Sequence, residues 1–217
     1  MRTRLKVCCI ASIDEAAAAI AAGADALGLV ARMPSGPGPI DDDLIAGIAR
    51  SVPAPVATFL LTSEVDPDAV VDHVRRIGVN TVQLVDDTVE PDVYEALRKA
   101  APAVRIVQVI HVRDESSIPL ALAAAHHVDT LLLDSGNPHA QVRELGGTGR
   151  THDWSLSREI VQRSPRPVFL AGGINAANVA AAIAAVNPFG IDLCSGVRTN
   201  GKFDPAKLHA LMVAIWK

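Results

Sequence analysis

Aromatic residues are scarce in this chain. Only 3% of its 217 residues are Phe, Trp or Tyr. A large core must therefore be packed from Ala, Val, Leu and Ile, and few rings are on hand to stack on nucleobases. Excess positive charge is also missing: the formal net charge is -4, which gives no general attraction for a phosphate backbone. A nucleic-acid partner is not expected. Cysteine is limited to three residues, two of them adjacent, which makes no disulfide framework. Apolar stretches are broken by Gly, Asp or Arg well short of the ~18 residues of a membrane span. The basic opening MRTRLKV leads into CCIAS, Asp14 and Glu15 instead of the apolar centre of a signal peptide. No membrane segment is expected, and the cytoplasm is the expected compartment.

Several short motifs are lacking too. The seven histidines form no H-x-x-x-H pair and the cysteines no C-x-x-C, so no metal site is expected. His73, His209 and His126-His127 fall in or at the ends of helical segments. His111 and His152 lie nearer the strand ends and remain candidate substrate contacts. The turn after the first strand has no glycine, which excludes a G-x-G-x-x-G dinucleotide fingerprint. The run Gly146-Gly147-Thr148-Gly149 is not followed by Gly-Lys-Ser/Thr, so it reads as a mobile lid and not as a Walker loop.

What is present is a repeated alternation. Apolar, strand-like runs fall at residues 5–10, 26–31, 56–61, 81–85, 105–111, 130–134, 168–171 and 191–195. Helical segments fall between and after them at 13–22, 41–51, 67–77, 91–100, 116–126, 155–163, 175–186 and 204–216. Such strand-then-helix units, repeated at roughly 25-residue spacing, predict a single (β/α)8 TIM barrel over residues 1–217, a fold that runs from ~200 residues upward. Strands that are apolar throughout, with no polar alternation, suit a parallel sheet covered on both faces. Ser12 with Glu15 predicts a capping box, Asp66-Pro67 and Glu90-Pro91 predict helix starts, and Asn175 is the expected cap of the seventh helix.

In such a barrel the chemistry sits at the C-terminal strand ends. Those ends carry Cys8 and Cys9, Asp134 and Ser135, Gly172-Gly173, and Ser195-Gly196. The two glycine turns follow adjacent strands seven and eight, where barrels commonly hold a phosphate on backbone N–H groups. Asp134 closes the apolar run Thr130-Leu131-Leu132-Leu133, and a carboxylate buried there needs a purpose. A thiol and a carboxyl across a barrel mouth are a candidate general base and general acid. Arg32, after the second strand, and Arg198, after the eighth, are candidate charges near the mouth.

Together these motifs resemble the phosphoribosylanthranilate isomerase family. Lys6-Val7-Cys8 is similar to its opening K-I-C, and Ala22-Gly23-Ala24-Asp25-Ala26-Leu27-Gly28 to its second-strand entry. Val82-Gln83-Leu84, Leu133-Asp134-Ser135, Gly146-Gly147-Thr148-Gly149 with Asp153-Trp154, Leu170-Ala171-Gly172-Gly173-Ile174, and Asp192 with Ser195-Gly196-Val197 follow in order. The resemblance implies a cofactor-free Amadori rearrangement of a phosphorylated aminosugar, with Asp134 as acid and Cys8 as base. It also assigns Gly172, Gly173, Asp192, Ser195 and Gly196 to substrate and phosphate. The chain departs from the pattern in three places. The family's glycine after the catalytic cysteine is Cys9, its S-P-R motif is Ser35-Gly36-Pro37-Gly38, and its V-Q-L-H-G is Val82-Gln83-Leu84-Val85-Asp86. Arg32 is the expected replacement for the missing arginine. The alternatives are a sister isomerase acting on a different phosphorylated aminosugar and a barrel that binds a phosphate ligand without catalysis.

Overall fold

The computed structural model describes residues 2–86, 89–136 and 151–215. Eight parallel strands form a closed barrel in sequential order. They are β1 (Arg4–Val7), β2 (Ala26–Val30), β3 (Ala57–Thr62), β4 (Thr81–Leu84), β5 (Arg105–His111), β6 (Thr130–Asp134), β7 (Val168–Leu170) and β8 (Gly190–Leu193). The intervening and following helices are α1 (Ile13–Ala21), α2 (Asp42–Ser51), α3 (Pro67–Ile77), α4 (Pro91–Ala100), α5 (Ser117–Ala124), α6 (Trp154–Arg163), α7 (Val179–Val186) and α8 (Pro205–Ile215). A two-stranded hairpin, β9 (Arg198–Thr199) with β10 (Lys202–Phe203), precedes α8. This is the (β/α)8 TIM barrel that the alternation predicts.

Successive side chains on a strand point to opposite faces, and here the two faces build two cores. Outward residues such as Leu5, Val7, Leu27, Leu29, Leu131, Leu133, Ile191 and Leu193 pack against the helices. Inward residues fill the barrel, among them Ala26, Val30, Phe59, Leu61, Val107, Val109, Leu132 and Phe169. Gly190 leaves room for Phe169, since a Cβ there would collide with that ring. Both faces are apolar because both are covered, which is why the strands show no alternation in sequence.

Local signals set most of the helix starts. Ser12 Oγ accepts from the N–H of Glu15, and Glu15 returns the bond to the N–H of Ala11. Asp66 caps α3 through the N–H of Ala69, with Pro67 in the first turn. The seventh helix departs from expectation: it starts at Val179 with Asn178 at its cap, not at Asn175. Asn175 instead forms a turn, accepting from the N–H of Ala177. Asn178 accepts from the N–H of Asn175 and donates to the carbonyl of Gly173. Two asparagines are thus spent on shaping the chain just after β7. The first strand is also shorter than the run 5–10, because the backbone turns at Cys9, whose φ is +64°. The expected lid at 146–149 lies outside the described residues.

Candidate active site

The strand ends surround a concave pocket open at the barrel mouth, the usual place for a ligand in this fold. Its lining includes Cys8 and Cys9 after β1, Gln83 on β4, Asp134 at the end of β6, Gly172 and Gly173 after β7, and Asp192, Cys194 and Ser195 on and after β8. Among the candidates, Cys8, Asp134, Gly172, Gly173, Asp192 and Ser195 therefore share one pocket. Arg32 does not line it. That residue is exposed, its carbonyl accepts from Ser63 Oγ, and Met33, Ser35, Gly36 and Pro37 form that rim.

Cys8 projects inward from the end of β1, two residues beyond Lys6 and therefore on the same face. Lys6 is fully buried in the barrel, 2.9 Å from Oδ2 of Asp192, its register partner on β8, and 5.2 Å above the centre of the Phe59 ring. The pair meets without the alignment of a full hydrogen bond, and Oδ1 of Asp192 has no partner among the described residues. Gly28 makes the arrangement possible. A Cβ at that position would lie 2.7 Å from Cys8 Sγ and 3.1 Å from Lys6 Nζ.

The electrostatics divide the titratable groups. A hydrogen bond from the Cys9 thiol is the largest influence on Cys8, and with the Lys6 charge it outweighs burial and holds the Cys8 pKa below the ordinary thiol range. Burial alone would lower the Lys6 pKa, but Asp192 and a Cys8 thiolate outweigh it, and the ammonium is held above the usual lysine range. Asp134 is moved the other way. Burial raises its pKa, against the N–H of Ser135 at 2.7 Å and the neighbouring His111, its partner in register. A thiol biased toward thiolate and a carboxyl biased toward the acid thus line one cavity.

The two glycine turns approach each other at the mouth. Gly172 and Gly173 both have positive φ, at +83° and +63°, the left-handed region that favours glycine. Gly196 stands in a 3-10 turn, Ser195–Val197, pressed so closely on the chain after β7 that a Cβ would run into the carbonyl of Ile174. Gly196 thus does not line the cavity itself; it lets Ser195 sit next to Gly172-Gly173.

The other candidates have structural partners. His111 is buried, and its Nε2 lies 3.0 Å from the carbonyl of Val85. His152 bonds Ser157 at the start of α6, and burial lowers its pKa to about 4. Arg198 turns away from the cavity to hold the carbonyls of Cys8 and Cys9 and the carboxylate of Glu15. Residues assigned no site role from sequence also belong here: Cys194 and Gln83 line the cavity, Lys6 lies buried beneath Cys8, and the buried Oε1 of Gln83 has no partner among the described residues. The available signal was a polar residue two positions from another inward-facing residue on an apolar strand, as in Lys6 and Cys8 or Gln83 and Val85.

A family model described as N-(5'-phosphoribosyl)anthranilate (PRA) isomerase matches residues 5–214. The chain belongs to the PRA isomerase family. An N-(5'-phosphoribosyl)anthranilate isomerase of Halobacterium salinarum is 37% identical, covering 97% of this chain and 94% of the relative. One of Methanocella arvoryzae is 36% identical, covering 90% and 89%. Among solved structures, the phosphoribosyl anthranilate isomerase of Thermotoga maritima superposes with a TM-score of 0.82 at 30% identity, covering 98% of both chains. A phosphoribosyl anthranilate isomerase in complex with reduced 1-(o-carboxyphenylamino)-1-deoxyribulose 5-phosphate superposes at 0.79 with 28% identity, again covering 98% of both. Among the described residues no helix is long and apolar enough to cross a membrane.

Proposed function

We propose that this chain isomerises N-(5'-phosphoribosyl)anthranilate to the corresponding 1-deoxyribulose 5-phosphate, in the cytoplasm and without a cofactor. The observation that carries the reading is the shared cavity of Cys8 and Asp134, with pKa values displaced toward thiolate and acid. Asp134 donates its proton to the ribose ring oxygen as the C1'–O bond breaks, leaving a Schiff base at C1'. Cys8 then removes the C2' proton, and the resulting enolamine becomes the 2'-ketone when C1' is protonated. Oxidation at C2' is balanced by reduction at C1', so the rearrangement closes within the substrate. The phosphate rests on the backbone N–H groups of Gly172-Gly173 and Ser195-Gly196. Asp192 and Gln83 offer Oδ1 and Oε1 as acceptors for ribose hydroxyls.

Purified protein should consume phosphoribosylanthranilate in metal-free buffer, and the gene should restore growth of a tryptophan auxotroph lacking this isomerase. Correctly folded protein that binds phosphate yet does neither would favour the sister isomerase. That second reading draws on one observation: among the described residues, no arginine or lysine lines the cavity.

Arg32, exposed beside the rim residue Met33, is assigned to the anthranilate carboxylate of bound substrate. An exposed charge pair is screened by solvent and contributes about 0.2–1 kcal/mol, so Arg32→Ala should raise KM by only about fivefold or less, with kcat little changed. Steady-state kinetics decide it, and an unaltered KM would remove Arg32 from the site.

A further inference from the structure

Two sulfurs at the mouth have no part in this mechanism as proton carriers. Cys9 Sγ and Cys194 Sγ lie 2.6 Å apart although the residues are 185 positions apart in sequence. Both cysteines are free thiols. A disulfide bond is ~2.05 Å long, so joining them requires a shift of only about half an ångström.

The backbone holds the two in place from both sides of the sulfur pair. The N–H of Cys8 donates to the carbonyl of Leu193 at 2.7 Å, and Arg198 clamps the carbonyl of Cys9. Cys9 has a left-handed backbone with φ +64°, a conformation that costs any residue but glycine and needs enforcement. Its side chain is pressed on Gly38, where a Cβ would come within 2.6 Å of Cys9 Cβ, and its thiol points to the carbonyl of Pro37 at 3.6 Å. Cys9 is thus fixed against Cys194 by three loops. Cys194 is the partly exposed member, whereas Cys9 is buried.

We propose that Cys9 and Cys194 are a reversible oxidation site, joined by peroxide in a disulfide across the barrel mouth, and that the bridge slows the neighbouring Cys8. Peroxide first oxidises Cys194 to the sulfenic acid, releasing one water. The Cys9 sulfur then displaces the hydroxyl, its proton leaves with it as a second water, and the S–S bond forms. Two thiols lose two electrons, and one peroxide accepts them. The bridge removes the Cys9 S–H, the neighbouring group that most favours the Cys8 anion, and ties the residue next to the base to Cys194. Dithiol reductants reverse the step by thiol–disulfide exchange. The effect on turnover rests on the proposed role of Cys8; the bridge itself does not.

Reduced protein treated with hydrogen peroxide should lose the mass of two hydrogens and yield one cross-linked peptide pair. Its Tm should rise, because the bridge closes a long loop in the unfolded chain. The cross-link should form in Cys8→Ser and disappear in Cys9→Gly and Cys194→Ser. Isomerase turnover should fall on oxidation and recover with dithiothreitol. Cys194→Ser, measured against its own reduced-state activity, should resist this reversible loss. Persistence of the cross-link in Cys9→Gly, or its absence from peroxide-treated wild type, would overturn the proposal. So would a reversible loss in Cys194→Ser as large as in wild type, which would assign the oxidation to Cys8. A reduced wild type that cross-links but has no isomerase activity overturns the functional reading and leaves the bridge standing.

Discussion

Cys8→Ala and Asp134→Asn should each lower kcat by about 10²–10⁴, the range for removing a positioned proton carrier, while leaving the fold intact. Neither side chain anchors the outer core that packs barrel against helices, so near-native Tm values accompany the loss. Cys9→Gly should cost much less, because Cys9 acts on the base only as a neighbouring group that favours its anion. The pH profile gives the same assignment independently. Activity rises with pH as Cys8 becomes thiolate and falls as Asp134 loses its proton. For the free side chains these steps lie roughly 4–5 pH units apart in the opposite order of use. The site lowers Cys8 and raises Asp134, so the two limbs of kcat/KM should lie closer together than that, as macroscopic values of the coupled pair. Asp134→Asn should remove the limb that belongs to the acid. Near-normal turnover in Cys8→Ala with a large loss in Cys9→Gly would transfer the base to Cys9.

Lys6→Met should have the largest effect on stability. Side-chain exposure is 0% for Lys6 and 9% for Asp192, so the substitution strands a carboxylate in the barrel without its counter-charge. Breaking a buried pair from one side costs about 3–5 kcal/mol, a large part of the ~5–15 kcal/mol of an ordinary domain. Chemical denaturation should show a lower midpoint, and Asp192→Asn added to Lys6→Met should recover part of the loss. The Lys6 charge also favours the Cys8 anion, so any folded Lys6→Met enzyme should need a higher pH for half-maximal kcat/KM. An unchanged midpoint together with an unchanged pH profile would show that the ammonium neither supports the barrel nor acts on the base.

The barrel was legible because its signals are local and repeated. The runs at 105–111 and 130–134 coincide with β5 and β6, and the proline starts at Pro67 and Pro91 coincide with α3 and α4. The misplaced boundaries have a common origin. Residues 5–10 read as one apolar strand, yet Cys9 turns into the left-handed region, which hydrophobicity does not record. Asn175 has a capping side chain, but the bonds of Asn178 to Asn175 and Gly173 hold that turn out of the helix.

The sequence by itself determined the fold class and the strand ends at which Cys8, Asp134, Gly172-Gly173 and Ser195 stand, which follow from residue order and periodicity, and its motifs carried the resemblance to the family. Only the tertiary structure decided the pairings across the barrel: Lys6 with Asp192, Cys9 against Cys194, and the cavity's rim built from Met33 and Ser35 in place of Arg32. Closing the sheet sets β1 beside β8, bringing together residues some 185 positions apart. The pKa values of Cys8 and Asp134 depend on the same closure, because burial and neighbouring charge are properties of the assembled mouth and not of any segment.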